Sequence, residues 1–336
     1  MPASSGRPEK AKKSKKSDKK ASSRSGCGLR FVAGTVVLLA GAGYLAYHFQ
    51  NNNAPSPAGC TVHAEDNELD LDQDQAANAA TIAAVATSRG LPERALTIAL
   101  ATSLQESRLV NLDSGDRDSL GLFQQRPSQG WGTRKQILDP VYASNSFFDS
   151  LVKIPGYTRL PLTVAAQRVQ KSGYPQAYAN HEADATLLSA ALTGHDDGAL
   201  SCTTGANTPY SAGGRLGDTA KVTARLTREF GRQVKPRDDA LPRTVAVPAS
   251  PAGGAAAGDG KRRGWELAQW AVAHAHDLKV QEVTFGDMRW EAAHSDKGWQ
   301  KSAPDKKQDE KQDEKQDAKQ TATTGADAFV RITVAR

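Results

Sequence analysis

What the sequence lacks narrows the field first. No Gly-rich phosphate loop, zinc-finger spacing or haem-attachment motif is present, so the chemistries such motifs announce have no foothold. Aromatic residues make up only 6% of 336 residues and mean hydropathy is −0.54, so not all of the chain can be packed core. One or two folded domains plus solvated segments fit this length. Basic residues are not interleaved with aromatics, which argues against a nucleic-acid surface. Cysteines number three, and each has a separate setting.

The net charge of +6 is uneven. Residues 1–30 hold ten lysines and arginines against Glu9 and Asp18, a local net of +8, which leaves −2 for the rest. This Lys/Ser-rich stretch reads as a disordered tail. It stops at Phe31–Phe49, nineteen residues without Asp, Glu, Lys or Arg. At about 1.5 Å per residue that run spans roughly the hydrocarbon thickness of a bilayer. Flanking cations favour a cytoplasmic N-terminal side, which places everything after residue 50 outside the membrane. The rival is a cleaved signal peptide with Ala40-Gly41-Ala42 as its cleavage site. Cys27 falls on the basic side. Cys60 and Cys202 both fall on the outer side, where a disulfide is permitted, two free thiols being the alternative. Residues 50–59 read as a spacer.

Helical patterning starts near Asp74 and runs to Gly90, in the position after a helix C-terminus that glycine favours. Pro92 and Glu93 open a second, mostly buried helix through Arg108. The stretch 113–133 is rich in turn residues and predicts loops with short strands. Further helices are expected around Val141–Lys153, Thr163–Gln170 and Pro175–Leu192. After a linker at 203–214 come a helix over Asp218–Phe230, a loop over 232–262 and an amphipathic helix over Trp265–Leu278. Val280–Trp290 and Phe329–Val334 alternate like strands. Between them the low-complexity insertion 301–326 reads as solvated. The expected fold class is a mainly α, lysozyme-like α+β domain over 60–202, then a small α+β domain over 215–336.

Glu106 closes the second helix beside Ser107. A carboxylic acid partly withdrawn from water resists ionising and can donate a proton near neutral pH, as glycosidic cleavage requires. A surface glutamate at a helix end is the common, inert alternative. Eighteen residues on comes Gln124, inside Ser119-Leu120-Gly121-Leu122-Phe123-Gln124-Gln125, in which a glycine permits close backbone approach and an amide can meet sugar hydroxyls. Glu106-Ser107, Gly121-Leu122-Phe123-Gln124 and the Tyr174–Tyr178 stretch together resemble the lysozyme-like lytic transglycosylases and goose-type lysozymes. The third element departs from the usual Ala-Tyr-Asn, reading Gln176-Ala177-Tyr178-Ala179-Asn180. The run SLGLFQQRPSQGWGT with a cysteine at each end resembles actinobacterial wall-associated proteins most closely.

That resemblance covers 60–202. It implies cleavage of peptidoglycan glycan strands by Glu106, with Ser107, Gly121, Leu122, Phe123, Gln124, Gln125 and Tyr178 at the substrate, and no cofactor. Glycosidases usually flank the bond with two carboxylates. Asp113, Asp116 and Asp118 are the candidates for a second, against the reading of a solvated acidic turn. The transglycosylase relatives manage with one glutamate, which protonates the leaving oxygen and then serves as base on the sugar's own 6-hydroxyl. Trp131 could stack on a sugar or plug the core, and Arg126 could line the groove. The alternative function is a wall-binding or structural protein on the same fold.

Residues 218–336 resemble, more weakly, zinc-dependent wall peptidases. Points of contact are Glu229-Phe230-Gly231, Gly264-Trp265-Glu266-Leu267-Ala268-Gln269, Val283-Thr284-Phe285, Met288-Arg289-Trp290, Gly298-Trp299 and the last strand. Intact relatives carry a His…Asp pair before the long helix and His-x-His on the last strand. Here 232–262 has no histidine, and the last strand carries Arg331, which cannot ligate a metal. His274, His276 and His294 do not reproduce the spacing. His181 and His195 are expected to be exposed or helix-capping. The expectation is no zinc site and a binding or spacer role.

Overall fold

A computed structural model describes residues 57–64, 67–172, 175–205, 216–249, 257–302 and 328–336. The basic tail, the apolar run 31–49, Tyr174 and most of the insertion 301–326 lie outside these residues. Among the described residues no helix is long and apolar enough to cross a membrane.

The chain enters through β1 (Gly59–Ala64), which pairs antiparallel with β2 (Asn67–Leu71) and, on its other side, with β3 (Leu200–Thr203). Sequence patterning did not anticipate this sheet. Its strands are short, and β3 pairs with β1 across the whole helical stretch between them. Cys60 stands opposite Cys202 in the ladder, and the two form a disulfide across 142 residues of sequence. Closing a loop of that length stabilises the native state by about 5 kcal/mol in the chain-entropy model. Replacing both cysteines with serine should therefore lower the denaturant midpoint substantially. An unchanged midpoint in urea would show that the bridge does not restrict the unfolded chain.

Between β2 and β3 the described residues form six α-helices. The first two are α1 (Gln73–Ser88) and α2 (Glu93–Ser107). The others are α3 (Arg134–Ile137), α4 (Pro140–Leu151), α5 (Leu162–Gln170) and α6 (Glu182–Leu192). Local chemistry places their ends. Asp72 and Gln75 form a capping box on α1, Thr133 and Gln136 do the same on α3, and Asp139 caps α4. The expected helix over Pro175–Leu192 begins with a 3-10 segment, Pro175–His181, before α6.

The second segment contains α7 (Thr219–Phe230), β4 (Arg237–Asp238), β5 (Thr244–Pro248), α8 (Ala257–Ala273) and α9 (Ala275–Leu278). It continues with β6 (Val280–Phe285), β7 (Met288–Glu291), β8 (Gln300–Lys301) and β9 (Phe329–Val334). The antiparallel sheet runs β4-β5-β9-β6-β7-β8. Thus 232–262 is not all loop. It holds β4, β5 and the start of α8. A five-residue apolar run among turn residues becomes a strand because β9, some ninety residues later, pairs with it. The architecture is mixed α+β, with one small and one six-stranded antiparallel sheet.

The two segments are not beads on a string, since 55–336 forms one compact unit. α1 packs on α2 and α4 and also on α7 and α8. Being covered on all sides explains its sequence, in which Ala76, Ala79, Ala80, Ile82, Ala83, Ala84, Val85 and Ala86 are all buried. Polar contacts across the seam are specific. Buried Gln269 of α8 accepts from Leu200 N at 2.7 Å and donates to Ala191 O at 2.7 Å. Trp290 Nε1 donates to Cys202 O at 3.1 Å and Trp299 Nε1 to Leu200 O at 3.0 Å. Gly194 lies so close to α8 that a Cβ there would sit 2.0 Å from Arg262 O.

Glu229 is the charged centre of the seam. Its fully buried carboxylate accepts from Trp270 Nε1 at 2.7 Å, Thr81 Oγ1 of α1 at 3.0 Å and Arg225 at 3.3 Å. His274 faces it at 3.5 Å, an ion-pair contact lacking hydrogen-bond geometry, and faces Asp277 at 3.4 Å. Burial disfavours the imidazolium, but the Glu229 and Asp277 charges outweigh it and push His274 up to about 9. Glu229 is held below its ordinary value; burial opposes this, and His274, Trp270 and Arg225 prevail. The raised histidine stabilises the fold fully below its unfolded value of about 6.5 and loses that contribution as pH rises through about 9. The lowered glutamate stabilises above about 4.5 and loses its contribution on acidification. Stability should peak near pH 5–6.5 and fall by on the order of 2–3 kcal/mol by pH 9.5. Urea titrations against pH would reveal the slope, which His274→Gln should flatten. A curve level across that alkaline range would contradict it.

Candidate functional site

Glu106 sits one residue before the end of α2, a helix whose other residues are mostly buried. The carboxyl is half-buried. Its Oε1 accepts a 2.6 Å hydrogen bond from the hydroxyl of Tyr178, which is itself fully buried in the 3-10 segment. Burial, and then the Glu106 carboxylate, push the Tyr178 phenol well above its ordinary value, so it stays a donor. A side-chain hydrogen bond with Ser172 opposes this shift only weakly. On the helix side His181 Nε2 lies 3.1 Å from Gln105 Oε1, and burial lowers its basicity. His181 is half-buried and stands at the N-cap position of α6 without a side-chain cap bond, and His195 is exposed and pairs with Glu93 at 3.2 Å, as the expectation of exposed or helix-capping histidines had it.

The Gly-Leu-Phe-Gln motif is a tight hairpin. Leu120 and Gln125 exchange two backbone hydrogen bonds of 2.9 Å, and Gln124 N returns to Gly121 O at 3.3 Å. Gly121 has φ +75°, and a Cβ there would lie 2.7 Å from Ile137 O, so glycine is required by both conformation and space. Two serines of α2 hold the hairpin. Ser107 Oγ donates to Leu122 O at 2.8 Å and Ser103 Oγ to the same oxygen at 3.0 Å. Gln170 of α5 donates to Phe123 O at 2.7 Å. Tyr178 thus reaches the Glu106 carboxyl and the hairpin is tied to the end of α2 through Ser103 and Ser107, while the other predicted residues serve by different means. Leu122 and Phe123 are fully buried core residues, with Phe123 stacked on Phe147 at 4.6 Å. Buried Gln125 donates to Ala143 O at 3.1 Å. Ser107 spends its hydroxyl on the hairpin. Of the motif side chains, Gln124 is the one left half-exposed, lying over Gly115.

The acidic loop resolves into different roles. Asp118 accepts from Arg126 Nε at 2.7 Å and from Ser128 N at 2.8 Å. The Arg126 hydrogen bond first, then Ser128, hold its carboxyl far below the usual carboxylate range. Asp118 and Arg126 are therefore loop staples. Asp113 and Asp116 are exposed. Trp131 is half-buried against the core.

Behind Glu106 the backbone is strained. Arg108 and Leu109 are consecutive non-glycine residues with φ of +56° and +61°. Such conformations cost about 1–3 kcal/mol each and persist where surroundings enforce them. Here Leu109 is fully buried, and Asn78 Nδ2 and Gln75 Nε2 of α1 donate to Leu109 O at 2.8 Å and Arg108 O at 2.7 Å. Sequence patterning missed these two amides because nothing marks which side-chain amides on a helix will meet a distant turn.

On the second sheet, Arg331 Nε binds Asp239 Oδ2 at 3.1 Å, and Arg237 stacks over Phe329 at 4.1 Å. A guanidinium paired to the local carboxylate is the opposite of a zinc-binding donor set. His274 is committed to Glu229, and His294 lies 3.0 Å from Glu291. Among the described residues no three His, Cys, Asp or Glu side chains converge to hold a metal.

A family model described as VldE, C-terminal domain, matches residues 244–313. The matched stretch starts at β5, includes α8 and the β6–β7 hairpin, and lies outside the segment carrying Glu106. No curated protein matches the chain.

Proposed function

We propose that the protein is a membrane-anchored, peptidoglycan-cleaving glycosidase or lytic transglycosylase in which Glu106 is the general acid and base. The observation that carries this reading is the carboxyl itself: half-buried at a helix end, aimed by a buried tyrosine, and adjoining a hairpin pinned by Ser103 and Ser107. The Tyr178 hydroxyl orients its Oε1. A group held this way can donate a proton to the leaving oxygen and then take one from the attacking hydroxyl. Asp118 is spent on Arg126 and Ser128, which favours a mechanism that needs one carboxylate.

The same observation favours a second reading, in which the fold grips glycan without cutting it. Mass spectrometry of products from purified wall separates the two. A 1,6-anhydro end supports attack by the sugar's own hydroxyl, and a reducing end supports attack by water. Wall retained by the protein with no fragments released would leave adhesion as the function.

A further inference from the structure

We propose that Asn78, assisted by Gln75, is a positioning residue for Glu106, acting through the carbonyls of the two left-handed residues behind it. The inference rests on the reading of Glu106 as the general acid and base. Gln75 and Asn78 are three apart on α1 and so share one face. They address the carbonyls of two consecutive residues, Arg108 at 2.7 Å and Leu109 at 2.8 Å. Gln75 is not free to swing away, since its Oε1 accepts from Asp72 N at 2.7 Å. α1 is itself tied down, by Thr81 to Glu229 and by Thr87 to Glu266. The amides therefore stand on a rigid support.

The turn they hold sets the direction of the end of α2. Arg108 N returns to Leu104 O at 3.0 Å and Leu109 N to Ser103 O at 3.2 Å. The first is an ordinary helical bond, and the second, six residues back, requires the left-handed backbone of Arg108. If the turn relaxes, the last helical turn unwinds, and with it go Glu106, the Ser107 bond to the hairpin and the aim at Tyr178. A misplacement near 1 Å is enough to cost a reaction one to two orders of magnitude.

The test compares Asn78→Ala, Asn78→Asp and Gln75→Ala in the full chain, using soluble oligomers of alternating N-acetylglucosamine and N-acetylmuramic acid. The expected result is kcat lowered about tenfold with KM nearly unchanged. Asn78→Asp keeps the shape without the donor and should behave like Asn78→Ala. Arg108→Gly, which takes the left-handed conformation unaided, should restore most of the loss in Gln75→Ala. Unchanged kcat in folded variants, or no restoration by Arg108→Gly, would overturn the proposal. If Asn78→Ala does not fold, Gln75→Ala with and without Arg108→Gly carries the test. The carboxyl carbon resonance of Glu106 gives a readout that does not need turnover. Should the wild-type protein cleave nothing, the enzymatic reading fails. A shifted Glu106 resonance in Asn78→Asp would still support positioning, and an unshifted one would refute it.

Discussion

Removing residues 216–336 should leave the disulfide-closed segment 57–205 without a cooperative native state. The reason lies in what α8 and the second sheet cover. Leu200 N, Ala191 O and Asp196 O all find their partner in Gln269, and Cys202 O and Leu200 O find theirs in Trp290 and Trp299. Stripping partners from such groups costs about 1–3 kcal/mol each where water cannot replace them. α1 would at the same time expose an alanine-rich face that now lies against α7 and α8. Total stabilities are about 5–15 kcal/mol, so losses of this size consume most or all of the margin. Far-UV circular dichroism and urea unfolding of the two chains would measure the difference. A truncated chain unfolding cooperatively within about 2 kcal/mol of the parent would mean that the seam is a contact between independent domains. Wall-digestion experiments should accordingly use the whole unit and not the first segment alone.

Replacing Glu106 with glutamine should reduce release of glycan fragments by about a thousandfold while leaving the melting temperature within a few degrees. The amide oxygen can still accept from Tyr178, so the fold should tolerate the change, but the proton donor is gone. Tyr178→Phe should cost less, about tenfold, because the carboxyl survives and only its aim is loosened. The ordering matters as much as the sizes. A Tyr178→Phe loss equal to that of Glu106→Gln would move the chemistry to the phenol. Activity retained in Glu106→Gln would remove the glutamate from the reaction.

Much of the helical framework could be read along the chain, because its signals are local. Pro92 before α2, Gly90 after α1 and Asp218 at the start of α7 act within a turn of the residues they control. The positions of Glu106 and the Gly121–Gln124 turn were legible for the same reason. β1, β2, β3, β4 and β5 were not. They are short, and two of their pairings, Cys60 with Cys202 and Val247 with Val330, join residues far apart in sequence. The burial of the C-terminal half of α1 on several sides had a trace in the sequence: in the run Ala79–Ala86 only Thr81 is polar.

Residue type and spacing by themselves determined where most of the helices run and which carboxylate ends a buried one. Only the tertiary structure decided that Leu122, Phe123 and Gln125 turn into the core and that Asp118 is taken by Arg126. It also decided that Tyr178 hydrogen-bonds Glu106 and that two amides of α1 reach the carbonyls of Arg108 and Leu109 behind it. The physical reason is one of range. Capping and periodicity act across three or four residues. The partner of a buried carboxyl is whichever group packing brings within 3 Å, and no local rule names it.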